Sequence, residues 1–115
     1  MALNVDAAIL GHSQWKSRLS VYLKNPDQSM NPAVVQKTDE CVLGTWLATE
    51  GARELSNADL TALQTAHAVF HREASDVVRR ANSGLKVNEE VAIGARSPFS
   101  HATMQVVQLL TKLRK

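Results

Sequence analysis

Five side chains in this sequence have the donor chemistry to hold a transition-metal ion: His12, Cys41, His67, His71 and His101. Two of them, His67 and His71, fall in the run Ala66-His67-Ala68-Val69-Phe70-His71. On an α-helix, residues four apart lie on the same side, so both imidazoles can converge on one point. Imidazole nitrogen and thiolate sulfur suit zinc, whereas magnesium and calcium prefer oxygen-rich sites. Three imidazoles and one thiolate complete a tetrahedral zinc shell. Such a closed shell leaves no position for substrate or activated water, which argues against hydrolysis. Taken singly, a His on an apolar face is ordinarily a hydrogen-bonded core residue, and a lone Cys a small hydrophobe. The metal reading rests on their combination.

These residues need helices to bring them together, and the apolar spacing supplies them. Val5, Ile9, His12, Trp15, Leu19 and Tyr22 or Leu23 recur at intervals of three and four, predicting an amphipathic helix over about residues 5–24 with His12 on its stripe. The run NPDQSMNP then breaks the periodicity. A second helix is expected across Val42, Leu43, Trp46 and Leu47, with Cys41 at its start and Gly51 at its end. Cys41, Gly44 and Ala48 form a line of small residues open to close helix approach. Ser56 is an N-cap for a third and longest helix running through Leu60, Leu63, His67, Phe70, Ala74, Val77 and Val78 to about Ala81, closed by Asn82-Ser83-Gly84. Residues 85–97 are irregular. Ser97 and Pro98 then open a final helix with a stripe of Phe99, Thr103, Val106 or Val107, Leu110 and Leu113. The expected fold is all-α, an antiparallel four-helix bundle with a broken last helix and a metal site between helices.

Composition narrows the function. A chain of 115 residues fits one domain over residues 1–115, and 44% hydrophobic with 4% aromatic residues suits helices over sheet. The 13 Lys and Arg are interleaved with 11 Asp and Glu for a net charge of +2, so no nucleic-acid footprint is expected. Lys112, Arg114 and Lys115 are read as cations completing a helix C-terminus. No apolar run is long enough to span a bilayer, and no signal-like region opens the chain. The single Cys41 cannot form an internal disulfide, which fits a reduced, cytoplasmic thiol.

Three motifs in one order, His12-Ser-Gln-Trp15-Lys16, Cys41-Val-Leu-Gly44-Thr-Trp46 and His67-Ala-Val-Phe70-His71, resemble the chemoreceptor zinc-binding (CZB) domain. The resemblance extends over about residues 5–113. It implies a cytosolic helical bundle with His12, Cys41, His67 and His71 as zinc ligands, attached in most relatives to bacterial chemoreceptors or diguanylate cyclases. His101 has no counterpart in that ligand set and is expected on a helix surface or in packing. Trp15, Trp46 and Phe70 are expected to wall the site. Acceptors for the His N–H groups are also expected, with Asp39, Glu40 and Glu73 near in sequence.

No signalling heptads, cyclase region or membrane anchor accompanies the bundle. The chain opens with Met and ends soon after its last helix, so it reads as a stand-alone protein more than as an excised domain. By the resemblance, the expected role is non-enzymatic: a zinc-binding sensory module acting on a partner in chemotaxis or cyclic-di-GMP signalling, with homodimerisation among its expected properties. Cys41 is its expected redox switch, because a zinc-bound thiolate is the form that oxidants such as hypochlorous acid attack. The competing reading is a constitutive interaction or dimerisation bundle in which zinc is purely structural.

Overall fold

The computed structural model describes residues 4–37, 42–84 and 87–113. In chain order the helices are α1 (Val5–Lys24), α2 (Pro32–Val35), α3 (Val42–Ala48), α4 (Glu50–Glu54), α5 (Asn57–Asn82), α6 (Glu89–Ile93) and α7 (Pro98–Leu113). Three are long, and each starts at a polar cap. The Asn4 side chain accepts from the Ala7 N–H at 3.0 Å, the Ser56 hydroxyl from Asp59 at 3.1 Å, and the Ser97 hydroxyl from Ser100 at 3.1 Å. Pro98 stands at the first position of α7, where its missing N–H costs nothing. Gly84, with φ +86°, takes the left-handed conformation that ends α5.

Contacts between named residues give the direction of each rod. His12 and Trp15 of α1 meet Phe70 of α5, and Tyr22 reaches Asn82, so α1 and α5 run the same way. Between them in sequence, Met30, Pro32 and Val35 meet Asn82, Ser75 and His71 in that order, so this stretch runs back against α5. Phe99 at the start of α7 packs on Phe70, and Leu109 lies beside Ala62, so α7 also opposes α5. The order is up, down, up, down, and the antiparallel bundle expected from the sequence is present. Its second rod is made of short pieces, α2, α3 and α4.

That fragmentation revises one expectation. Gly51 does not end the second helix; it lies buried inside α4. The interruption falls earlier, at Thr49, whose hydroxyl donates to the Thr45 carbonyl at 2.9 Å and whose φ/ψ of −119°/−97° is not helical. Gly51 is needed for closeness: a Cβ there would stand 2.7 Å from the Trp46 ring. A smaller shift affects α7, where Ala102 takes the buried place expected of Thr103. Thr103 is half-buried and donates to the Phe99 carbonyl.

The core joins Leu19, Leu63, Phe70, Val77, Val78, Ile93, Phe99, Val106 and Leu110, all fully buried. Burying each large apolar side chain contributes about 1.5–3 kcal/mol. Among the described residues no helix is long and apolar enough to cross a membrane.

Candidate metal centre

Within that apolar core three polar residues stand out, His12, His67 and His71, each less than 5% exposed. Their ligand atoms all lie within 4.8 Å of one another. The helical period explains how α5 supplies two of them, since residues 67 and 71 are one turn apart on its buried face. The third comes from α1, running alongside. The Nε2 atoms of His67 and His71 are 3.0 Å apart. Two nitrogens bound at about 2.0–2.1 Å to one tetrahedral zinc stand roughly 3.3 Å apart, so this edge is close to the length zinc requires.

The protonation pattern follows from the other ring atoms. His71 Nδ1 is 2.8 Å from the Val35 carbonyl and His12 Nδ1 is 2.8 Å from the Ala8 carbonyl. A carbonyl only accepts, so each Nδ1 carries a proton, and it is the neutral form of the ring that keeps a lone pair at Nε2 for a metal. In that form His71 Nε2 faces His67 Nε2 with a lone pair, which must meet either a proton or a cation. Among the described residues no carboxylate belongs to the cluster. A buried donor set of imidazole nitrogens fits zinc better than magnesium or calcium.

For His12 and His71 the acceptors at Nδ1 are thus main-chain carbonyls. Of the carboxylates near in sequence, Glu73 lies 3.8 Å from Arg72, while Asp39 and Glu40 fall outside the described residues. The carbonyls left no mark in the residue types. A fainter signal was available in Ser75, one turn beyond His71 on the same stripe and 1% exposed. It donates to the Pro32 carbonyl at 2.8 Å. Asn82, further along, donates to the Met30 carbonyl at 2.9 Å and accepts from the Tyr22 hydroxyl. His71, Ser75 and Asn82 together fasten residues 30–35 to α5.

The expected walls divide. Phe70, fully buried, packs edge-on against His12 (4.9 Å between ring centroids) and His71 (5.3 Å), closing the apolar side of the centre. Trp15 stands 6.4 Å from Phe70 and lines a cavity that reaches His71. Trp46 packs against Gly51 of α4, and its buried Nε1 has no hydrogen-bond acceptor among the described residues. His101 is exposed on α7 and takes no part in the cluster. Cys41 lies outside the described residues; α3 begins at the next residue and packs against α5.

An all-helical bundle enclosing three convergent imidazoles defines a class, the helical metal-binding modules. A family model, the chemoreceptor zinc-binding domain, matches residues 12–78, more than half of the chain. The chain belongs to this zinc-binding family. The matched region begins at His12 and includes Cys41, His67 and His71. Neither curated proteins nor solved structures yielded a match.

Proposed function

We propose that residues 1–115 form one zinc-binding sensory domain in which Cys41 joins His12, His67 and His71 as the fourth ligand, and in which zinc occupancy or Cys41 oxidation alters contact with a signalling partner. The observation that carries this reading is the hydrogen bond from His71 to the Val35 carbonyl. It ties a candidate ligand on the longest helix to the stretch of chain that leads directly to Cys41. The ligand set therefore draws on two kinds of support, long packed helices for the imidazoles and short segments for the thiol.

Bound zinc would supply the positive charge that keeps a coordinated thiol deprotonated. Cys41 would then be the group that meets oxidants, and its conversion to sulfenic acid weakens its hold on the ion. With that tie lost, α3 keeps the packing of Leu43 and Leu47, which are buried in the core. Gly44 weakens α3 by about 1 kcal/mol relative to Ala. The moving part is the segment around Cys41, and the partner is a chemoreceptor, a diguanylate cyclase or another signalling protein of the bacterial cytoplasm, met by a monomer or a homodimer.

Metal analysis of the purified chain tests the site, with one zinc per chain expected and loss expected in Cys41→Ala, His67→Ala and His71→Ala. Titration with hypochlorous acid tests the switch: zinc should leave on mild oxidation and return on reduction. Zinc retained throughout that titration would make the metal a structural one. A metal-free wild type purified without chelators would remove the site altogether.

A further inference from the structure

Between α1 and residues 29–37 lies a cavity of about 480 Å³, within the range of small-molecule sites. We infer that it binds a small carboxylate with a flat apolar body. Its walls are largely apolar, from Trp15, Met30, Val34 and Val35, and no carboxylate lines it among the described residues. The charged groups that reach it are both cations, Arg18 and Lys37.

Arg18 sets the chemistry. Its guanidinium lies 4.0 Å from the centre of the Trp15 ring, and it makes no ion pair with a described residue. A guanidinium resting on an indole is held in position while the N–H groups along its edge stay available. Those groups match the two oxygens of a carboxylate in a forked pair. The apolar walls beside them suit a ring or branched chain, whereas a more highly charged phosphate would have to be desolvated against the same walls with little to compensate it. A monocarboxylate satisfies both surfaces at once.

The floor of the cavity holds His71 and Val35, the two partners of the 2.8 Å hydrogen bond beside the metal centre. An occupant therefore touches the link between α5 and the stretch leading to Cys41. The binding site itself does not rest on the zinc reading, since neither Arg18 nor Trp15 is a candidate ligand.

The test uses the zinc-loaded chain, with benzoate and phenylacetate as probes and amide and indole N–H resonances as the readout. At least one probe should give saturable shifts at the Trp15 indole and at residues 30–37, with a Kd of about 1 mM or tighter. Arg18→Gln should weaken binding roughly tenfold with zinc content unchanged, and neutral benzamide should bind roughly tenfold more weakly than benzoate. No saturable shift with either acid would overturn the proposal. So would equal affinity in Arg18→Gln, equal binding of benzamide, or shifts confined to the metal-binding histidines.

Discussion

The α1–α5 pair and residues 29–37 border the same metal centre, yet they are held by different forces. Around His12 and His67 the helices are fixed by a continuous apolar core that includes Leu19, Leu63, Phe70 and Val77, all fully buried. Residues 29–37 contribute one fully buried apolar side chain, Val35, with Met30 partly buried against the core, and are further held by hydrogen bonds from His71, Ser75 and Asn82. A typical hydrogen bond adds about 0.5–1.5 kcal/mol net, less than one well-buried large side chain. The contrast separates a pair of long helices that present nitrogens from a short segment fastened largely through hydrogen bonds.

The strongest challenge to this contrast is removal of the metal. Zinc binding in small domains is worth about 10–16 kcal/mol in apparent terms, comparable with or above the roughly 5–15 kcal/mol stability of an ordinary domain. Because the core is built of packed apolar side chains, chelated protein should keep most of its helical circular dichroism. Amide exchange should quicken first in residues 30–37 and 42–48 and last in α5. Loss of all helical signal on chelation would show instead that the two regions stand or fall together.

Phe70→Ala attacks the long-helix pair. It empties a site bordered by His12, His71, Trp15 and Phe99, and should cost about 3–5 kcal/mol in urea unfolding of the chelated chain. Zinc affinity should fall with it, because two of the imidazoles lose the wall they lean on. Ser75→Ala attacks the fastening alone. Its expected cost is about 1 kcal/mol, with zinc content unchanged and faster exchange confined to residues 30–37. A global loss of stability from Ser75→Ala would erase the distinction. His101→Ala, on the exposed face of α7, should shift stability by less than about 0.5 kcal/mol and leave one zinc per chain.

Much of the long-helix frame could be read in the residues. The stripe from Val5 to Tyr22, the cap at Ser56 and the Ser97-Pro98 start correspond to α1, α5 and α7, because long amphipathic helices with polar caps write their period directly into the sequence. The convergence of His12 with His67 and His71 followed from that period and from the family resemblance. The second rod was harder to read. Thr49 interrupts the second rod through a hydroxyl-to-carbonyl bond, and Gly51 serves an approach of Trp46 that no local pattern announces. Nothing in the spacing of the chain marks Arg18, whose guanidinium lies over Trp15. Long-range contacts made by one or two side chains have no periodicity, so spacing alone does not disclose them.

The carbonyls of Ala8 and Val35, which aim two of the imidazoles, belong to every amino acid alike. Substituting the side chains at positions 8 and 35 leaves these acceptors in place as long as the backbone keeps its course. The aiming of the rings is therefore shielded from most point mutations, and a scan of single substitutions would pass over it in silence. Evolution or an engineer wishing to retune the centre must instead displace main chain, by lengthening the 25–31 turn or by inserting proline near residue 35. The orientation of these two rings is thus a heritable property of the main-chain course more than of residue identity at positions 8 and 35.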